Sequence, residues 1–128
     1  MLQKQSWLSI ADNTNVRWIK TFHLYKGFHR KQTKAGFFIK ATARVVEPPR
    51  IEYKGFKFKF HKKGDICRGL IIRNSYNIVK KDGSSIFFKK NETILIKKKQ
   101  DLKSKYLFGP VVKTLRRKKF LTLFKKNL

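Results

Sequence analysis

Between residues 37 and 46, apolar and polar side chains alternate with a period of two, the spacing of a half-buried β-strand. Phe37, Ile39, Ala41, Ala43 and Val45 fall on one face, and Phe38, Lys40, Thr42 and Arg44 on the other. Pro48-Pro49 ends the run, because proline cannot donate to a ladder and restricts the residue before it. Residues 17–25 alternate less regularly and read as a strand ending at Gly27. Ser6 to Ala11 reads as a first strand, stopped by the turn formers Asp12-Asn13-Thr14-Asn15. Gly69-Leu70-Ile71-Ile72, bounded by Arg68 and Arg73, is too short for a helix and reads as a buried strand. Asp82-Gly83, set between Val79-Lys80-Lys81 and Ser85-Ile86-Phe87-Phe88, predicts a hairpin, since glycine enters positive φ without a steric cost. With Asn91 as a turn residue and Thr93 to Ile96 resuming β-rich composition, residues 64–95 read as a meander.

Two stretches extend this plan. Phe56-Lys57-Phe58-Lys59-Phe60 alternates strictly, with three rings on one side and two ammonium groups on the other, inside a hairpin predicted over residues 50–63. Its rings either pack on the domain core or are covered by a neighbouring protein or RNA, because a bare aromatic ribbon invites aggregation. Thr114 is a possible N-cap, and Phe120, Leu121, Leu123 and Phe124 recur at helical spacing, which predicts short helices over 114–128. That stripe serves either packing or a partner. The expected fold is mostly β: a small five-stranded antiparallel β-barrel with a protruding hairpin and short C-terminal helices, in one domain spanning residues 1–128. Barrel closure would remove the strand edges.

Charge narrows the partners. Lys+Arg 33 against Asp+Glu 7 gives +26, a density that repels itself unless a polyanion neutralises it, and nucleic acid is the natural one. A hydrophobic content of 41% with twelve Phe separates the chain from a disordered basic tail. The cations expected to touch RNA are those on turns or polar strand faces: Arg17, Arg30, Lys31, Lys34, Lys40, Arg44, Arg68, Arg73, Lys80, Lys81, Arg116 and Arg117. Arg30, Lys31 and Lys34 lie in a glycine-bounded loop, 27–36, where cations can reach two phosphates at once. The run from Lys97 to Lys105, broken by Asp101, reads as a charged loop before a sharp turn at Gly109-Pro110.

Little else carries chemistry. Cys67 is the single cysteine, so no intrachain disulfide can form; it reads as a small buried hydrophobe in a reducing compartment. His23 reads as a packed or solvated residue rather than a ligand. No metal, cofactor or small-molecule substrate is expected. Glu47 and Glu52 flank the double proline, which disfavours a shared acid-base site; with no phosphate-binding loop or nucleophile turn, an enzyme is not expected. No run approaches the roughly 18 apolar residues of a membrane span. The N-terminus lacks the apolar core of a secretory signal.

The central stretch also resembles a family. Gly69 with three aliphatics, nine intervening residues, Asp82-Gly83, four residues, Phe88, two residues, Asn91, two residues and Ile94-Leu95 is similar to the diagnostic pattern of universal ribosomal protein fourteen of the large subunit. Ile94 stands where that pattern usually shows Val, and residues 50–63 are longer by several residues than in bacterial members. Colinear features support the resemblance: Ala11-Asp12-Asn13, Gly27-x-His29-Arg30, Gly64-Asp65, Phe108-Gly109-Pro110-Val111 and Leu115-Arg116. It implies a structural constituent of the large subunit that binds large-subunit rRNA, touches small-subunit rRNA at a bridge, and adjoins large-subunit proteins three and nineteen. It begins at Met1-Leu2-Gln3-x-Gln5, so no transit peptide is expected. Lys outnumbering Arg, with abundant Phe, Ile and Asn, fits A/T-rich coding. The expected home is therefore the mitochondrial matrix, as an organelle-encoded ribosomal protein, the alternative being the cytoplasm of an A/T-rich bacterium. Two rivals explain charge and rings without the resemblance. One is a free-standing single-stranded nucleic-acid binder of the oligonucleotide-barrel type; the other is a membrane-surface protein using the last residues as an amphipathic helix.

Overall fold

The computed structural model describes residues 2–25, 31–48, 61–97, 106–111 and 126–127. Its strands are β1 (Leu2–Gln3), β2 (Trp7–Ile10), β3 (Val16–Leu24), β4 (Gln32–Thr33), β5 (Phe38–Val46), β6 (Ile66–Arg73), β7 (Ile78–Val79), β8 (Ser85–Ile86), β9 (Glu92–Ile96), β10 (Tyr106–Leu107) and β11 (Lys126–Asn127). β2, β3, β5, β6 and β9 close into a barrel in that order. Four seams are antiparallel, as expected; the fifth, between β9 and β2, is parallel, pairing Ser9 with Glu92 and Ile10 with Thr93. Parity requires this. Strand direction cannot alternate all the way around an odd-numbered ring, so a five-stranded barrel is mixed.

The alternation in β5 fills the interior. Ile39, Ala41 and Ala43 are fully buried, and they meet Leu8, Val16, Ile19, Leu24, Cys67, Ile71 and Leu95 from the other strands. Each fully buried Leu or Ile contributes about 1.5–3 kcal/mol relative to its exposed state. Cys67 is a core residue, its thiol 3.7 Å from His61 Nδ1. β6 is buried on both faces, which is why it reads as a continuous apolar run: Leu70 and Ile72 join Ala11, Ile94 and Leu107 in a second cluster outside the barrel. The segment carrying Leu107 is held over that cluster by a bridge to Asp12 and by Phe108 N–H donating to Ala11 C=O.

The region between β6 and β9 departs from a meander. β6 pairs directly with β9, while β7 and β8 form a separate two-stranded hairpin beyond the barrel. Asp-Gly composition specifies a turn but not which strands it joins, and the apolar surface that decides pairing lies in β6 and β9. In the hairpin, Gly83 N–H donates to Lys80 C=O, Lys80 N–H to Ser84 C=O, and Gly83 has φ 91°, the pattern of a turn closed by a left-handed glycine. No helix occurs among the described residues. The C-terminal helices expected over 114–128 lie outside them, except that Lys126–Asn127 is extended and pairs in parallel with β10. Of the hairpin expected over 50–63, residues 50–60 are likewise outside.

Candidate nucleic-acid interface

The positions of the acids decide which cations are left for a partner. Of the seven in the sequence, Asp12, Glu47, Asp65, Asp82 and Glu92 are described, and each is committed inside the molecule. Asp12 is fully buried: one carboxylate oxygen accepts Leu95 N–H at 2.9 Å and the other accepts the Thr14 hydroxyl at 2.8 Å. Glu47 holds Arg17 bidentately at 2.6 and 2.8 Å. Glu92 pairs with Arg73. Asp65 accepts Lys62 N–H at 2.8 Å and faces His61. Asp82 accepts the Ser84 hydroxyl and N–H, bonds that hold its carboxyl below the usual range, with Lys80 adding to the effect.

The candidate cations then separate. Arg73 is 5% exposed; besides Glu92 it donates to Pro110 C=O at 3.1 Å, roofed by the turn at Gly109. Gly109 sits at φ 87°, and a Cβ there would strike the Arg73 guanidinium. Arg73 is thus a strut between β6 and this turn. Arg17 is half-buried in its pair with Glu47. Lys31 and Lys34 are exposed on either side of β4, Arg44 is exposed at the end of β5, and Lys80 and Lys81 stand at the β7–β8 turn, half-buried and exposed. Arg30, Arg116 and Arg117 lie outside the described residues.

One juxtaposition stands out on the barrel wall. Register places Lys40 of β5 directly opposite Arg68 of β6, with His23 of β3 on the other side of Lys40. Neither Lys40 nor Arg68 makes an ion pair with any described residue. Like charges directly opposite on neighbouring strands are destabilising, so this rung carries an uncompensated repulsion within the fold. Aromatic rings flank it: His23 meets Tyr25 edge-on at 5.6 Å, and Tyr25 meets Phe38 at 6.5 Å.

The sequence reading missed two contributors. Asn15 ties the backbone at Glu47 to that at His61: its amide donates to Glu47 C=O at 3.3 Å and His61 C=O at 2.8 Å, and accepts His61 N–H at 3.2 Å. It looked like one turn former among four, and no local signal marks it. Trp7 and Trp18 face outward on β2 and β3; an aromatic at an outward position beside cations was the available signal.

Among the described residues no group of His, Cys, Asp and Glu could hold a metal ion. No described helix is long and apolar enough to cross a membrane. A cation-rich barrel whose described acids are engaged within the molecule suits a polyanion-binding protein, and comparison with known families gives the kind: the family described as Ribosomal protein L14p/L23e matches residues 1–126. The chain belongs to that family. It is accordingly a structural constituent of the large ribosomal subunit, associated with its RNA and with other ribosomal proteins, in a family that is typically non-enzymatic.

Proposed function

We propose that this family member binds large-subunit rRNA through the acid-free cations of its outer surface and contributes to an inter-subunit bridge during translation. The observation that carries the reading is the commitment of all five described acids to internal partners while Lys40 and Arg68 face each other unneutralised. The proposed contacts are Lys31, Lys34, Lys40, Arg44, Arg68, Lys80 and Lys81, joined from the sequence by Arg30, Arg116 and Arg117. Arg17, held by Glu47, is also among the proposed contacts, and Arg73 acts beneath the surface by holding the Gly109 turn. Binding proceeds by charge neutralisation with counterion release, so affinity falls steeply with salt, and folded RNA is read by shape rather than base sequence. Large-subunit proteins three and nineteen are the proposed neighbours, and small-subunit RNA the proposed partner across the bridge.

Sedimentation of a source lysate through sucrose at low and high salt, with magnesium present, tests the reading. Persistent co-migration with large-subunit RNA is expected; migration with other nucleic acid would contradict it. Charge reversal at Arg30, Lys31 and Lys81 together should impair subunit incorporation. For the bridge, cross-linking of intact ribosomes should recover small-subunit RNA adducts, and adducts confined to the large subunit would sink that part. The proposed compartment is the mitochondrial matrix with an organelle-encoded gene, supported by the A/T-biased residue usage; a nuclear gene carrying a presequence would overturn it.

A further inference from the structure

The wall formed by β2 and β3 carries a feature that charge neutralisation does not use. Leu8 and Ile19 point into the barrel, so their strand neighbours Trp7 and Trp18 point out, at 49% and 40% exposure. Register sets Trp7 directly across from Lys20, and Trp18 across from Ser9 on one side and Val45 on the other. Val45 on β5 and Ile66 on β6, the latter opposite Thr42, add exposed apolar surface to the same wall, with exposed Arg44 beside Val45. Contiguous apolar surface with a polar rim marks an interaction site.

Its chemistry selects the occupant. Lys20 and Arg44 stand among the rings, Glu47 is closed off by Arg17, and Glu92, which faces Ser9 across the β2–β9 seam and accepts its hydroxyl at 3.4 Å, is held by Arg73, so the wall fits a partner that combines negative charge with flat apolar faces. Paired RNA offers phosphates and 2′-hydroxyls but hides its base faces; unpaired nucleotides offer both. We infer that Trp7 and Trp18 stack unpaired bases of RNA while Lys20 and Arg44 take the adjoining phosphates. This rests on the RNA-binding role proposed above and adds that the wall selects unpaired over duplex segments.

Both tryptophans of the chain lie on this wall, so intrinsic fluorescence reports on it without a label. The full-length protein is titrated with a single-stranded RNA oligonucleotide and with the same sequence as a perfect duplex. The single strand should quench and shift the emission, and the duplex should bind with far less quenching. Trp7→Ala or Trp18→Ala should weaken single-strand binding about ten-fold and leave duplex binding unchanged, while Trp→Phe should retain most of the affinity. Thermal unfolding of each variant separates lost stacking from lost fold, and the Phe variants keep the test decisive if an Ala variant is unstable. Binding of both RNAs without quenching, equal binding by the Ala variants, or quenching only on mixing with other ribosomal proteins would overturn the stacking wall and leave RNA binding intact. Failure to bind either RNA at low salt would overturn both.

Discussion

Two arginines on the same strand, Arg68 and Arg73, serve opposite ends. Arg73 is buried, paired with Glu92, bonded to Pro110 and roofed by a turn whose left-handed backbone at Gly109 favours glycine. Arg68 stands half-exposed opposite Lys40, and neither makes an ion pair with a described acid. One cation closes the fold and the other stands opposite a like charge, although each simply flanks the same apolar run in the sequence. Total charge therefore overstates the binding surface; the neighbour across the ladder decides what each cation does.

The largest test of this division falls on the strut. Arg73→Met should cost about 2–4 kcal/mol in denaturant unfolding, because it strands the part-buried Glu92 carboxylate. A change below about 0.5 kcal/mol would place Arg73 with the surface cations. Asn15→Ala should cost about 1–3 kcal/mol by leaving His61 N–H without its side-chain acceptor. Faster amide exchange at His61 would locate the loss at the Asn15–His61 contact. Arg68→Glu reverses the sign of the effect: pairing with Lys40 should leave stability unchanged or raise it by about 0.2–1 kcal/mol, while RNA affinity falls. The smallest effect belongs to Asp82, whose carboxyl titrates below its ordinary 3.8 because Ser84 bonds to the ionised form. With the folded value depressed, its support of the turn is complete above 3.8 and fades as pH falls through the folded value. The Ser84 amide resonance should shift with a midpoint below 3.8.

Much of this architecture was legible because the barrel strands carry their periodicity locally. β5 alternates from Phe38 to Ala43, although Val45, expected on the core face, is exposed beyond a register shift; β6 is a continuous apolar run because it is covered on both faces from Gly69 to Arg73, and Cys67 is the buried hydrophobe its surroundings implied. What escaped depends on distant partners. The β6–β9 pairing bypasses the Asp82-Gly83 hairpin, and a register shift between Ile71 and Arg73 breaks the alternation that would otherwise assign Arg73 to a face. Its bond to Pro110 spans 37 residues, as remote from local reading as the Asp12 bond to Leu95, which spans 83. Among the cations, outward placement was readable for Lys40 on the polar face of β5, but its apposition to Arg68 required the register.

The most direct measurement is competitive incorporation of a Lys40→Gln/Arg68→Gln double variant against the wild-type chain into large subunits, with thermal unfolding of both proteins alongside. The account predicts equal or higher stability for the variant together with depleted incorporation and earlier release as salt rises. Equal incorporation at every salt concentration, with the fold intact, would contradict the claim that this rung faces RNA.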